Sequence, residues 1–281
     1  MQATSRKSDH RGRCTACFCD SMSTRTRAQE FPMADVWISV QAIGGVGSEV
    51  EISAQEAKHA LGARRLGTGD SVTFFDGFGT TASAEIIDGR SRGGERFARV
   101  ESVRLTPRVQ RTLTIACALP KGDRLATLLD MATQAGVDRF IPIDCERSVV
   151  DEEKLARNDR WQRILIEACK QSRRAWLPEL VAGGSIAEVM QREAIRQAAS
   201  FIAHLAPTSR PLDVALRESA SHASAIVWIG PEGGFTDAEV SLLQASGGNV
   251  VTLGAHVLRI ETAAVAAAAV FAQSRLAVNE G

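Results

Sequence analysis

Two glycine-bearing segments in the last third of the chain contain residue types that could hold a ligand. In the first, hydrophobic residues 226–229 lead into Gly-Pro-Glu-Gly-Gly at 230–234, and then into a helix that Thr236 and Glu239 cap. Ligands of open α/β sheets bind at the carboxyl ends of strands, and glycine lets the backbone approach them closely. Backbone N–H groups freed there could hold a nucleoside edge or a carboxylate. The alternative is a plain turn in which the glycines serve geometry alone.

The second segment, residues 250–263, repeats this arrangement. A predicted strand ends at Gly254, and a polar stretch containing Arg259 and Glu261 leads into a helix. This pair could act on a substrate, and a structural salt bridge is the alternative. Because both segments follow strands, they predict one shared site. Neither is a P-loop or a dinucleotide-binding Gly-x-Gly-x-x-Gly fingerprint, which argues against a dehydrogenase.

The elements that must position these residues fall into two groups. Residues 36–105 alternate short strands with turns around one helix that Ser53 caps, which predicts a small β unit. After a linker at 106–110, predicted strands and helices alternate, which is typical of a parallel sheet covered by helices on both faces. The predicted helices of this second part cover residues 124–135, 158–173, 185–198, 236–245 and 262–274.

Composition narrows the classes of function. The chain has 281 residues, with 33 Lys and Arg against 33 Asp and Glu, so its formal net charge is zero. Any affinity for nucleic acid would therefore have to come from local basic clusters. The longest uncharged apolar run, residues 262–272, is about half of the ~20 residues that a membrane-spanning helix needs. We expect a cytoplasmic protein with no membrane partner.

The cysteines and the N-terminal segment lead to two further predictions. Three cysteines in apolar segments predict buried thiols in a reducing compartment. These are Cys117, Cys145 and Cys169. Three more near the N-terminus lack a second Cys or His pair at zinc spacing, so no metal is expected. Residues 1–32 are interpreted as a disordered extension or as sequence upstream of a mis-assigned start, with a transit peptide as the alternative.

The two glycine-bearing segments together carry a resemblance to a known family. Gly-Pro-Glu-Gly-Gly at 230–234 is followed by Leu-Gly-x-x-Val-Leu-Arg-x-Glu-Thr-Ala at 253–263. Flanking matches include Pro-Lys-Gly-Asp-Arg at 120–124 and Glu-Arg-Ser at 146–148. This pattern resembles the RsmE family, the 16S ribosomal RNA uridine-N3 methyltransferases of the SPOUT superfamily. The resemblance covers nearly all of residues 36–272.

The resemblance implies a fold, a cofactor and partners. It implies a PUA-like RNA-binding β-barrel domain over residues 33–106 and an α/β SPOUT methyltransferase domain with a C-terminal trefoil knot over residues 107–276. It also implies a homodimer that uses S-adenosyl-L-methionine and acts on 16S ribosomal RNA of the small subunit, with no metal. The cofactor-binding residues carried over are Leu205, Ala206, Pro207, Gly230, Pro231, Glu232, Gly233, Gly234, Leu253, Gly254, Val257, Leu258 and Arg259.

The chemistry of uridine-N3 methylation suits residues of these types. Methyl transfer from a sulfonium is an in-line displacement that needs no metal, and holding donor and acceptor in line supplies most of the catalysis. The N3 lone pair is released only when its proton leaves, so the enzyme must stabilise the uracil anion or offer a base. Arg259 is the candidate for the charge on O2 or O4. Glu261 or Glu232 is the candidate base, or else orients Arg259.

Three basic clusters could form a phosphate-binding face. They are Arg64 with Arg65, Lys121 with Arg124, and Arg173 with Arg174. A favourable position at a helix C-terminus explains the third cluster without RNA. The chain departs from the family at Met131, Gln134, Arg173 and His256, which could alter the choice of target. A non-catalytic RNA-binding assembly factor on the same fold is the competing hypothesis.

Overall fold

The computed structural model describes residues 36–58, 65–88, 96–148 and 159–278. The predictions made for Arg64 and for the cysteines near the N-terminus lie outside these residues. Among the described residues, no helix is both long and apolar enough to cross a membrane.

The N-terminal part forms a five-stranded sheet in the order β1-β3-β4-β5-β2. The strands are β1 Trp37–Ser39, β2 Glu49–Ile52, β3 Ser71–Phe75, β4 Thr80–Ile87 and β5 Arg96–Leu105, with a short helix α1 Ala54–Glu56 after β2. β1 pairs with β3 in parallel, and the other pairings are antiparallel. Side chains alternate between the two faces of each strand, and those on the inner face form a separate buried core that contains Ile38, Ile52, Phe74 and Ile86. Ser53 caps α1 by accepting a hydrogen bond from the Glu56 N–H at 3.2 Å.

The C-terminal part forms an eight-stranded sheet in which every pairing is parallel. Its strands are β6 Thr112–Cys117, β7 Arg139–Asp144, β8 Glu179–Leu180, β9 Gly184–Ser185, β10 Ala199–Ala203, β11 Arg210–Pro211, β12 Ser224–Ile229 and β13 Asn249–Thr252. The helices are α2 Arg124–Gln134, α3 Asp159–Ser172, α4 Ile186–Met190, α5 Glu193–Arg196, α6 Leu212–Glu218, α7 Asp237–Ala245 and α8 Ile260–Val278. This arrangement confirms the predicted α/β class and the smaller β domain. The trefoil knot stays a prediction.

The order of the strands explains why two loops distant in sequence meet. The sheet runs β11-β13-β10-β12-β6-β7-β8, with β9 beside β7. β12 and β13 therefore flank β10 on its two sides. Because all three strands are parallel, their carboxyl ends share one edge of the sheet.

One predicted helix is wrong in its extent. Residues 185–198 form two short helices, α4 and α5, rather than one. Arg192 lies between them and donates hydrogen bonds to the carbonyls of Ala182 and Gly183, both at 2.7 Å. These bonds to the preceding loop give Arg192 an extended backbone that breaks the helix. A helical period continues through such a break, so the sequence pattern does not reveal it.

The small sheet packs against α3 and the loop that follows it. Trp37, Phe75 and Cys169 form a buried cluster that joins the two parts. Beside it, Lys170 Nζ lies 3.0 Å from a Glu56 carboxylate oxygen, with side chains only 9% and 17% exposed. Trp176 donates a hydrogen bond from Nε1 to the Thr106 carbonyl at 2.8 Å. Apolar contacts and an ion pair thus hold the small sheet against α3, and a hydrogen bond joins the linker to the loop after α3.

The three cysteines predicted to be buried are buried free thiols. Burial raises the pKa of the Cys117 thiol to about 12 and that of Cys169 to about 11. Both thiols are therefore neutral packing groups at physiological pH.

Candidate functional site

A cavity of about 340 Å³ opens at the carboxyl ends of β10, β12 and β13. Three stretches form most of its lining: residues 203–205 after β10, 229–235 after β12, and 251–254 with 256–258 after β13, and Ile260 and Ala263 of α8 complete it. The structure thus brings together the two glycine-bearing segments that were predicted to share a site. The predicted cofactor-binding residues that line the cavity are Leu205, Gly230, Pro231, Glu232, Gly233, Gly234, Leu253, Gly254, Val257 and Leu258.

Four of the predicted cofactor-binding and catalytic residues lie outside the lining of the cavity. Ala206 and Pro207 belong to a turn beside the cavity, in which the Ala206 N–H donates to Ser209 Oγ at 2.9 Å. Arg259 and Glu261 alternate with the lining residues Leu258 and Ile260, so they flank the cavity rather than form its wall. Their roles remain proposals.

The glycine loop at 230–234 has a conformation that side chains would not allow. Gly234 has a φ of +70° and donates its N–H to the Pro231 carbonyl at 2.8 Å. A Cβ on Gly230 would lie 3.0 Å from the backbone nitrogen of Phe235. Glycine is thus favoured at 234 by the left-handed backbone and at 230 by the close approach of Phe235.

The loop is fixed at its end by the predicted capping box of α7. Thr236 Oγ1 accepts from the Glu239 N–H at 3.3 Å, and Glu239 Oε2 accepts from the Thr236 N–H at 2.7 Å. The second oxygen of Glu239 accepts from the N–H of Glu146 at 2.9 Å. The cap of α7 therefore also holds the loop that follows β7.

Glu232 forms an ion pair at the cavity. Its Oε1 accepts a hydrogen bond from Arg124 Nη2 at 2.7 Å, with side chains 46% and 34% exposed. A hydrogen bond from its own backbone N–H, together with the charges of Arg124 and Lys121, lowers the pKa of Glu232 against a smaller opposing effect of burial. The carboxylate is therefore ionised at neutral pH and is a weak base.

Arg259 and Glu261 stand at the start of α8. The Arg259 carbonyl accepts from the Ala263 N–H at 2.8 Å, while its side chain is exposed beside the cavity. Glu261 is partly buried, and its Oε2 is buried and has no hydrogen-bond partner among the residues that the structure describes. A cationic group and a carboxylate oxygen thus stand next to the cavity.

The predicted RNA-binding arginines differ in their surroundings. Arg65 and Arg173 are exposed with φ values of 55° and 56°, and Arg173 follows the last residue of α3. A residue just past the end of a helix often adopts this left-handed backbone. Arg174 is largely buried, because it donates to Asp138 at 2.8 Å and to the Thr133 carbonyl at 3.0 Å. Its guanidinium thus has partners within the protein, and its contact with RNA stays a prediction.

The sequence interpretation missed Arg147 as a residue of the site. Its Nη1 donates to the carbonyl of Gly233 at 2.7 Å. The available signal was the Glu-Arg-Ser motif at 146–148, which follows the buried strand β7 and so forms a fourth loop at the same sheet edge. No group of His, Cys, Asp and Glu in the described part of the chain could hold a metal ion.

Known proteins resemble this chain in sequence. The RNA methyltransferase domain matches residues 107–272 of the chain. The ribosomal RNA small subunit methyltransferase E of Mycobacterium bovis is 33% identical over 235 residues, which are 81% of this chain and 87% of that protein. The chain belongs to the RsmE family of RNA methyltransferases. The Bacillus subtilis member of the RsmE family is 28% identical over 220 residues, 75% of this chain and 85% of that protein.

Solved structures of related proteins agree with the fold. The RsmE protein of Neisseria gonorrhoeae, solved with bound S-adenosyl methionine, superimposes with a TM-score of 0.72 at 26% identity, covering 85% of this chain and 97% of that one. A methyltransferase from Legionella pneumophila in complex with the same cofactor gives a TM-score of 0.71 at 28% identity with the same coverage. The family predicted from the two glycine-bearing segments is therefore confirmed.

Proposed function

We propose that this chain transfers a methyl group from S-adenosylmethionine to N3 of a uridine in 16S ribosomal RNA of the small subunit. The observation that carries the proposal is the single cavity that the glycine loop at 230–234 and the segment at 253–258 line together. Membership of the RsmE family and the cofactor bound in two solved relatives support the same conclusion.

The cavity suits the donor in size and in lining. Its volume of about 340 Å³ is within the range of cofactor and small-ligand pockets. Gly230 and Gly233 line the cavity without side chains, so the donor can approach their backbone, while Leu253 and Leu258 supply apolar surface for a nucleoside base. These residues would hold the donor, whose sulfonium supplies the methyl group.

Arg259 and Glu261 are the proposed catalytic residues. In the transfer, the methyl carbon leaves the sulfonium sulfur as it bonds to N3, and N3 gives up its proton. Arg259, exposed beside the cavity, stabilises the negative charge that develops on O2 or O4 of uracil. The Glu261 oxygen without a hydrogen-bond partner in the described residues accepts the proton or orients Arg259. Glu232 is the weaker candidate because Arg124 already binds its carboxylate.

Lys121, Arg124, Arg65 and Arg173 are the proposed RNA contacts. Arg124 lies beside the cavity because it binds the carboxylate of the lining residue Glu232, and Lys121 precedes it by three residues. Phosphate contacts there would fix the position of the RNA strand while the target base is presented unstacked.

A homodimer is also proposed, because two apolar side chains at the cavity are exposed, Leu205 to 52% and Val257 to 83%. A sedimentation mass of one chain would contradict the dimer.

The test is methylation of small ribosomal subunits from cells that lack this protein. The purified chain and labelled S-adenosylmethionine are expected to yield N3-methyluridine, identified by mass spectrometry of digested 16S RNA. Arg259→Ala is expected to lower the rate at least 100-fold while the melting temperature stays unchanged. Methylation at another atom would overturn the N3 assignment. RNA binding without donor binding would favour the non-catalytic assembly factor.

A further inference from the structure

The loop after β7 reaches across the sheet to the glycine loop. In the sheet, β6 lies between β12 and β7, so the loops after β12 and β7 are not adjacent by strand pairing. Arg147 nevertheless donates a hydrogen bond from Nη1 to the Gly233 carbonyl at 2.7 Å. The contact spans the carboxyl end of the intervening strand.

Arg147 also covers Gly233 with the aliphatic part of its side chain. A Cβ built on Gly233 would lie 3.2 Å from Arg147 Cδ, which is tighter than ordinary van der Waals contact. The arginine stem thus packs where a side chain at 233 would stand. Hydrogen bond and packing act on the same residue of the loop.

A second attachment lies one residue away. The N–H of Glu146 donates to Oε1 of Glu239 at 2.9 Å, and Glu239 closes the capping box of α7. Residues 146 and 147 therefore hold the glycine loop at Gly233 and just beyond its end. Such support matters because a glycine-rich loop loses more conformational entropy on ordering than other segments do.

We propose that Arg147 is a positioning residue for the methyl donor. By binding the Gly233 carbonyl and packing on Gly233, it holds residues 230–234 in the conformation that lines the cavity. The guanidinium does not line the cavity itself, so its effect reaches the donor through the loop. This inference rests on the proposed function, since it assumes that the cavity binds S-adenosylmethionine.

The experiment compares donor binding and turnover of Arg147→Ala with those of the wild-type chain. Because one charge-assisted hydrogen bond at an exposed position is lost, the Kd for S-adenosylmethionine, measured by calorimetry, is expected to rise roughly 3- to 10-fold. The KM for the donor should rise by the same factor, while kcat at saturating donor stays within about 2-fold. The melting temperature of the donor-free protein is expected to stay unchanged.

Two further variants separate positioning from general damage. Arg147→Lys retains a cationic donor on a long stem, and its Kd is expected to lie between those of the wild type and Arg147→Ala. Arg196→Ala removes another exposed arginine, which pairs with Glu193 on α5, and should leave the Kd unchanged. If the wild-type chain binds the donor and Arg147→Ala binds it equally well, the inference is overturned and the proposed function stands. If the wild-type chain fails to bind the donor, the proposed function falls and this inference with it.

Discussion

Arg124 donates a hydrogen bond to Glu232 at 2.7 Å, and this ion pair joins the first residue of α2 to the glycine loop of the cavity. From the sequence alone, Arg124 is a candidate phosphate contact and Glu232 is a candidate base. The structure shows that each partly neutralises the other. Lys121 is therefore the cation of this cluster with more charge to offer RNA.

The two cations should differ in the salt dependence of RNA binding. Lys121→Ala is expected to lower the slope of log K against log salt by about 1, the value for one lost phosphate contact. Arg124→Ala should lower it by less, because the charge of Arg124 is partly balanced by Glu232. Filter binding of 16S RNA over a range of salt concentrations measures both slopes. Arg217→Ala, which removes an exposed arginine paired with Asp213, is the control.

The depressed pKa of Glu232 predicts which pH range it can affect. Its folded-state pKa lies below the ordinary 4.5, so the ion pair stabilises the loop above that pH and is lost as the pH falls through the folded value. Between about pH 6 and about pH 8 the Glu232 carboxylate therefore stays ionised, because even an unperturbed carboxyl group is ionised there. Glu232→Gln is thus expected to weaken donor binding without moving any inflection of kcat/KM in that range.

Rate profiles of the wild type and the variant test this expectation. Glu218→Gln removes a comparable exposed ion pair, with Arg210 on β11, and serves as the control. The disappearance of an ascending limb in Glu232→Gln alone would make Glu232 the general base after all.

The sequence allowed the shared cavity to be predicted because two of its three main lining stretches are local patterns. A hydrophobic strand followed by glycines is visible at 226–234 and again at 250–254. The contacts of Arg147 and Arg124 were not predictable in this way. They join residues 86 and 108 positions apart, and only the order of strands in the sheet brings them together. The ion pair of Arg174 with Asp138 was not predictable for the same reason, because Asp138 lies in the turn between α2 and β7, 36 positions away.

Asp138 is expected to be a main determinant of stability. Its carboxylate accepts from the Leu113 N–H at 2.8 Å, from Arg174 at 2.8 Å and from Arg275 near the end of α8. Asp138→Asn would leave two partly buried guanidinium groups without their counter-charge, so the free energy of unfolding should fall by about 3 kcal/mol. Urea titration of the full chain measures this loss.

The matched variant for Asp138→Asn is Asp213→Asn. Asp213 pairs with Arg217 one turn away on α6, and both side chains are at least half exposed. Its loss should cost no more than about 0.5 kcal/mol. Equal costs at the two positions would show that the cluster around Asp138 is no stronger than a surface pair.

Gly79 should tolerate alanine less well than a glycine of the same backbone conformation. Gly79 and Gly247 have φ values of +95° and +92°, so alanine is strained at both, by about 1 kcal/mol. At Gly79 a Cβ would also strike the Trp176 ring and lie 2.8 Å from the Thr106 carbonyl, whereas nothing lies within 4 Å at Gly247. Gly79→Ala should therefore cost a further 1–3 kcal/mol by overpacking. Similar melting temperatures for the two variants would contradict this account.

The buried ion pair between Lys170 and Glu56 has a consequence for how a substrate is chosen. Together with the Trp37 cluster, it fixes the small sheet against α3. An RNA bound by the small sheet would then meet the methyl donor at a fixed distance. The dimensions of the folded RNA would decide which nucleotide reaches the donor, and loosening the contact between the small sheet and α3 would lower the accuracy of site selection before it slowed the reaction.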